Sequence, residues 1–331
     1  MRRDVRVGLL GAGGMGRIHA ETLARDPRVR IAGVSDVDAA RSGRLASDVG
    51  SRALPDLKAL LAEGIDLLVI TTPNRWHAEA AATAMECGIG VLSEKPMATN
   101  IEEARTLCQM ASREGVFYVV GHNRRHAPVY LHAREIIDGG FRPLFGAFKM
   151  HEGDYRTPAW VSDRSVSGGF LYENLVHFFD LMEWLIAPVA QVSCLARAPL
   201  YADDNDFVIS IAFDGGAIAS LSATGHASWL RPAEKTELVG DHASLHIEEL
   251  DRTLHSPGMD AEIRTRDFSA LPRAERWGYQ GQDSEIIDAF LSGKRPCFPA
   301  TRALRTLEIA EACTLSARRG LPVRLEPPLP A

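Results

Sequence analysis

The chain has 331 residues, 46% of them apolar and 24% charged, with a formal net charge of −6. That is the composition of a soluble globule long enough for two domains. Mild acidity argues against a nucleic-acid partner, which calls for a concentrated basic face, and no apolar stretch approaches membrane-spanning length. Five cysteines (Cys87, Cys108, Cys194, Cys297 and Cys313) are scattered without a Cys-x-x-Cys pair. They read as reduced thiols of a cytoplasmic protein, and a strand that starts almost at once leaves no room for a signal peptide.

The run from Val5 to Leu10 reads as a buried strand, and Gly11, Gly13 and Gly16 follow it at G-x-G-x-x-G spacing. A helix from Arg17 to Ala24 completes the strand–turn–helix context of a dinucleotide fingerprint. Gly11 permits the tight turn, Gly13 lets a pyrophosphate approach the backbone, and Gly16 allows close packing of helix on strand. Gly14 and Met15, between the glycines, face the same ligand. A second strand, Val29 to Ser35, ends at Asp36, about 20 residues past the last glycine, where a ribose-binding acid belongs. Arg41 is the nearest cation, so NAD is the expected cofactor, with NADP as the second choice.

Helices are expected at 39–48, 55–63, 76–87 and 101–114, with strands at 66–71, 89–92 and 116–120. This alternation specifies an α/β, doubly wound parallel sheet of Rossmann type. The pattern changes near Gly121-His122-Asn123, which divides the chain into a nucleotide-binding domain at 1–122 and a second domain at 123–331. The second part begins with a helix at 129–137, a strand at 144–150 and a polar stretch from Gly153 to Gly169. A helix at 170–186 follows, then strands at 189–198, 207–213, 217–224, 234–239 and 244–249 with no helix between them. The expected architecture is α+β with an open, mostly antiparallel sheet. Helices at 283–291 and 301–319 and a proline-rich tail after Leu325 close the chain.

Candidate chemistry lies where strands end, because the carboxyl ends of an open α/β sheet face the ligand crevice. Glu94-Lys95-Pro96 ends the fourth strand; Lys95 reads either as pointing toward a bound nicotinamide or as a surface lysine. Thr72, Pro73 and Asn74 read as a cofactor loop with His77 beside it, or Asn74 simply caps a helix. Asn123 and Arg124, in a run of cations, read as substrate contacts or as ties between domains. Tyr155 in the polar stretch is a further candidate contact. Glu173, His177 and Asp180 share one helix face by their spacing. They form either a proton-handling constellation or an amphipathic seam with a satisfied histidine. His122/His126 and His242/His246 have ligand-like spacing, but nothing acidic or thiolate completes a site, so no metal is assigned.

In this order, the glycine turn with His19, Asp36, Thr72-Pro73-Asn74 with His77, Glu94-Lys95-Pro96, and Gly168-Gly169 leading to His177 and Asp180 resemble the Gfo/Idh/MocA oxidoreductases across nearly the whole chain. The resemblance implies that Lys95 and His177 work at the carbon being oxidised. His177 would act as general acid/base, Lys95 would polarise the oxygen, and Glu173 would orient substrate or histidine. Glu173 stands where the family commonly has aspartate, which bears on the substrate. The implied activity is hydride transfer between a secondary hydroxyl of a cyclic polyol, sugar or sugar derivative and NAD(P). The implied assembly, through an open sheet face, is a homodimer or homotetramer. Reduction of a keto-sugar and a non-catalytic dinucleotide-sensing regulator are the alternatives.

Overall fold

A computed structural model describes residues 4–153, 155–228, 230, 232–294, 296 and 298–328. In chain order the first elements are β1 (Val5–Leu10), α1 (Gly14–Leu23), β2 (Val29–Ser35), α2 (Ala39–Asp48), β3 (Ala53–Leu54) and α3 (Leu57–Ala62). Then come β4 (Leu67–Ile70), α4 (His77–Glu86), β5 (Gly90–Glu94), α5 (Ile101–Glu114) and β6 (Tyr118–Gly121). They are followed by α6 (Pro128–Asp138), β7 (Phe145–His151), α7 (Arg164–Ser167), α8 (Val176–Leu185), β8 (Val189–Arg197), β9 (Asp206–Phe213) and β10 (Ile218–Thr224). The last are β11 (Glu234–Val239), β12 (Ser244–Glu248), β13 (Arg252–Ser256), β14 (Arg264–Asp267), α9 (Arg273–Arg276), α10 (Tyr279–Ser292), α11 (Ala300–Arg319) and β15 (Val323–Arg324).

Two compact units divide the chain. One holds the residues up to Asn123 together with Tyr279–Leu304, and the other holds Arg124–Gly278 and the residues from Arg305 onward. In the first unit six strands form a sheet in the order β3-β2-β1-β4-β5-β6, every pair parallel. Helices cover both faces of such a sheet, so its strands are near-continuous apolar runs: Val5, Val7, Leu9, Leu67, Val69, Leu92 and Val119 all enter one buried core. Short polar side chains start the helices where the sequence supplies them. Asp38 accepts from the Arg41 N–H, Asp56 from Ala59, and Asn100 from Glu103, each satisfying an orphan donor of a first turn.

The sequence reading assigned residues 279–304 to the second domain, and the structure groups them with the first unit instead. The physical reason is the apolar stripe of α10: Ile286 and Ile287 join the same core as β1 and α1. The edge strand β3, two residues long, is too short to show any periodicity and was not expected.

The second unit is built on a nine-stranded sheet in the order β14-β13-β12-β11-β7-β10-β9-β8-β15. The β7–β10 pair is parallel and the other pairs are antiparallel. Strand β10 alternates exposed and buried residues along its length, as a sheet covered on one face requires. The helix α8 is buried nearly all round, through Val176, Phe178, Phe179, Leu181, Met182 and Leu185, and the Phe178 ring meets Phe148 of β7 edge-on at 6.0 Å. Strands β13, β14 and β15 extend the sheet beyond the six that the sequence pattern showed. The helix expected at 170–186 is not uniform, because Leu171–Leu175 is π-helical and leads into α8.

Among the described residues, Cys87, Cys108, Cys194 and Cys313 are free thiols, and Cys297 lies outside the described residues. No described helix is long and apolar enough to cross a membrane. Ile287 is fully buried in the core shared by β1 and α1, so Ile287→Ala should cost about 2–5 kcal/mol. Denaturant melts followed by circular dichroism measure this, with the exposed Leu200→Ala expected to stay within about 0.5 kcal/mol of wild type.

Candidate functional site

The glycine turn contains two kinds of glycine. Gly11 has φ +102°, and a Cβ there would lie 2.7 Å from the Thr71 carbonyl. A Cβ on Gly16 would lie 2.2 Å from the Gly11 oxygen. Packing therefore dictates both. Gly13 and Gly14 have nothing within 4 Å of an added Cβ, so the space above the first turn of α1 is open. That turn carries no side-chain cap and no acidic residue, which leaves its N–H groups for an anion.

Asp36 sits at the edge of the turn. Its Oδ2 accepts from the Ala12 N–H at 2.6 Å and its Oδ1 from the Asp38 N–H at 2.8 Å. Each oxygen has a further lone pair, so the carboxylate is held in place yet still able to accept from two vicinal hydroxyls. Val37 beside it is fully exposed. The nearest cation in sequence, Arg41, pairs with Asp38 at 3.4 Å. At the end of β4 the Thr72 hydroxyl is buried with no hydrogen-bond partner, an atom that awaits a ligand. Open glycines, uncapped N–H groups, a fixed acid and an unsatisfied hydroxyl together fit a dinucleotide.

Three residues expected to touch the cofactor, His77, Asn74 and Glu94, are buried. His77 is buried, with Nδ1 2.8 Å from the Pro96 oxygen and Nε2 2.7 Å from the Thr72 oxygen. It ties the loop after β4 to the turn after β5. Asn74 does not cap α4, whose N-cap is Trp76; it opens a short 3₁₀ turn and is buried. Glu94 is buried as well: Oε1 lies 3.0 Å from His19 Nε2, and Oε2 accepts from the Lys95 N–H at 3.1 Å. The other ring nitrogen of His19 lies 2.9 and 3.0 Å from the two oxygens of Asp283. Lys95 itself is half-buried.

Burial alone would depress the basicity of His19, but the charge and hydrogen bond of Asp283, with those of Glu94, outweigh it and carry the ring from its ordinary 6.5 up to about 10. Burial pushes Glu94 toward its neutral form; the His19 hydrogen bond and charge, with the charge of Lys95, reverse this and hold it below the usual range. His19 is thus an imidazolium donating from both nitrogens to two carboxylates. Asp283 could not be found from sequence, because it lies 264 residues from its partner and no local motif marks it.

In the second unit, Gly168 and Gly169 both have left-handed φ, 84° and 91°, and turn the chain into the π-helical segment. Glu173 lies in that segment, half-exposed, while His177 lies in the first turn of α8, buried. Glu173 thus lies in a π-helical turn and His177 in the α-helical turn that follows it. Asp180 is committed elsewhere: both its oxygens accept from Arg125, at 2.9 and 2.8 Å from Nε. Arg124 forms a two-point ion pair with Glu234, 2.6 Å from Nη2 to Oε1, and lies over the Phe178 ring at 5.6 Å. Its position is therefore set by β11 and α8. Tyr155 is buried, edge-on to Phe170 and Tyr201. Burial raises its pKa, with a hydrogen bond to Ser167 opposing and the Glu173 charge adding. Asn123, in the first unit, is buried. Among the described residues no group of three or more His, Cys, Asp or Glu side chains could hold a metal ion.

Comparison with known proteins follows the same two segments. The family described as "Oxidoreductase family, NAD-binding Rossmann fold" matches residues 5–122, and the "GFO/IDH/MocA C-terminal domain" matches residues 130–246. The chain is 27% identical over 341 residues to a scyllo-inositol 2-dehydrogenase (NAD(+)) of Bacillus subtilis, covering 98% of each chain. It is 30% identical over 304 residues to a UDP-N-acetylglucosamine 3-dehydrogenase of Acidithiobacillus ferrooxidans, covering 89% of this chain and 91% of the other. Among solved structures, a myo-inositol dehydrogenase of Corynebacterium glutamicum superposes with a TM-score of 0.83 at 20% identity, covering 98% and 99% of the two chains.

Two measurements follow from the glycine turn and the buried histidine. Gly13→Val should abolish NADH binding by fluorescence titration and leave the melting temperature unchanged, whereas Gly16→Ala should lower the melting temperature through its clash with the Gly11 carbonyl. Because His19 binds its proton more tightly folded than unfolded, the stability it contributes is complete below pH 6.5 and lost as pH rises toward about 10. Urea melts across this window should show that fall in wild type and a flatter profile in His19→Gln.

Proposed function

The chain belongs to the Gfo/Idh/MocA family of oxidoreductases, and on that premise we propose that it oxidises a secondary hydroxyl of a cyclic polyol, sugar or sugar derivative to a ketone with NAD. The open glycine turn with Asp36 at its edge is the observation that carries the reading. Relatives of nearly the same length, named for dehydrogenation of inositol and of a nucleotide sugar, support the substrate class.

The N–H groups above Gly13 and Gly14 would hold the pyrophosphate, with Met15 and Gly16 completing the turn. Asp36 would accept from both ribose hydroxyls and repel a 2′-phosphate, Val37 would offer an apolar surface to the base, and Thr72 and Pro73 would line the nicotinamide end. Bound nicotinamide supplies the hydride acceptor. Lys95 then polarises the carbinol oxygen and favours its alkoxide character. His177 takes the hydroxyl proton as general base, and Glu173 orients the substrate through a neighbouring hydroxyl. Asn123 and Arg124 position the ring, Arg124 from a guanidinium fixed by Glu234. Tyr155, on which the charge of Glu173 acts, adds a further substrate contact.

We further infer a homodimer or homotetramer. Leu195 faces Val208 across β8 and β9, and Val239, Phe145 and Ile218 line up across β11, β7 and β10. All five are exposed, an apolar patch that an isolated subunit rarely leaves to water. The free thiols support a cytoplasmic location.

A screen of NAD and NADP against inositols, aldoses and their nucleotide derivatives tests the reading. NAD should give the higher kcat/KM, and equal efficiency with both cofactors contradicts the role of Asp36. Lys95→Ala and His177→Ala should each lower kcat by about 100- to 10,000-fold. Glu173→Asp should instead change the ranking among epimers, because it shortens the stem by one methylene. Near-normal kinetics in both alanine variants would contradict these roles, and NADH binding by the wild type without any turnover would favour a dinucleotide-sensing regulator.

A further inference from the structure

We propose that Asp283, His19 and Glu94 form a positioning triad for Lys95. The buried imidazolium clamps one oxygen of Glu94 while the other holds the Lys95 main chain, so the ammonium group is presented from a fixed turn beside a fixed negative charge. The inference rests on the assignment of Lys95 to the carbinol oxygen.

The geometry leaves Glu94 no freedom. Its Oε1 is 3.0 Å from His19 and its Oε2 3.1 Å from the Lys95 nitrogen, so both oxygens are engaged on opposite sides. A Cβ on Gly121 of β6 would already lie 3.3 Å from Oε1, and that strand therefore blocks rotation. On the far side of the ring, Asp283 presents both oxygens to His19 Nδ1 at 2.9 and 3.0 Å. Gln282 donates to Asp283 at 3.4 Å. Tyr279 closes the remaining face with its ring edge-on at 5.7 Å while its hydroxyl reaches the Met15 sulfur at 3.8 Å. The ionisable groups facing His19 are thus Glu94 from β5 and Asp283 from α10, with Tyr279 on its ring face, and Lys95 adjoins Glu94.

The charge count gives this arrangement a purpose. Two carboxylates and one imidazolium leave a net single negative charge, and its outward end is the carboxylate beside Lys95. A cluster of apolar side chains would join α1, β5 and α10 without the cost of desolvating three charged groups. Cohesion alone therefore does not account for the triad, whereas fixing an acid against a working lysine does. His19 and Asp283 touch no substrate and act through Glu94.

The test compares the full-length protein with Glu94→Gln, His19→Gln and Ile209→Ala, the last a destabilised control at a buried position of β9 in the second unit. Pulse acetylation with dilute acetic anhydride at fixed pH, read on the Lys95 peptide by mass spectrometry, reports the reactivity of its amine without any substrate. In Glu94→Gln the lost charge should raise the Lys95 labelling rate about tenfold, and Ile209→Ala should not. With NAD and myo-inositol as probes, kcat should fall about 100-fold in both triad variants while NADH affinity stays within about twofold of wild type. Should His19→Gln not fold, Asp283→Asn carries the same comparison of kcat and NADH affinity. Unchanged Lys95 reactivity in Glu94→Gln and unchanged kcat in the other triad variant, with only the melting temperature lowered, would overturn the proposal and leave the triad as a strut. Failure of the wild type to oxidise any polyol would instead count against the substrate reading, and the labelling rates would still decide the triad.

Discussion

A charged histidine sealed between two carboxylates is the constraint on which the first unit's site depends. His19 brings α1, the helix that opens the glycine turn. Glu94 brings the end of β5 and the turn that carries Lys95, and Asp283 brings α10. Breaking a buried charge triad by removing one member typically costs more than the intact triad contributes, because a charge is left uncompensated. The three elements are therefore locked together or not at all. A second histidine works beside it: His77 lies against the carbonyls of Thr72 and Pro96. The residues on either side of Lys95 are thus each gripped by a buried histidine, one through a carboxylate and one through a main-chain oxygen.

The same division between what packs and what awaits a ligand runs through the other motif residues. Gly11 and Gly16 are glycine because backbone lies within 2.7 and 2.2 Å of where a Cβ would go. Gly13 and Gly14 meet nothing, and their smallness serves an approaching molecule. In the second unit, Asp180 and Arg125 neutralise each other in the interior, while Arg124 is anchored by Glu234 and Phe178. Charged residues near a strand end are thus not all groups for substrate; several are the rigid frame that fixes the few that are.

Much of this was legible in the sequence because its signals are local. Apolar runs alternating with helical periods gave the parallel sheet, and the spacing of Gly11, Gly13, Gly16 and Asp36 marked the dinucleotide bed. Alternation from Val189 to Glu249 disclosed the second sheet. What escaped lacked a local signature. Strands β3 and β15 are two residues long, and β14, Arg-Thr-Arg-Asp, is exposed throughout and carries no apolar period. The return of α10 to the first unit and the partnership of Asp283 with His19 depend on contacts far apart in the chain. The π-helical turn at Leu171–Leu175 is invisible to a 3.6-residue period, which is why 170–186 read as one uniform helix. Inward-facing His77 and Glu94 looked like ligand contacts because position at a strand end does not tell which way a side chain turns.

The central claim is that this protein moves a hydride from a carbinol carbon to NAD. Deuterium transfer tests it most directly. Incubation with NAD and inositols or sugars deuterated at ring carbons should yield reduced cofactor one mass unit heavier, with the label lost from a single ring position of the ketone product. Reduced cofactor without deuterium from every labelled position, or tight NADH binding with no reduction of NAD by any cyclic polyol or sugar derivative, would contradict it.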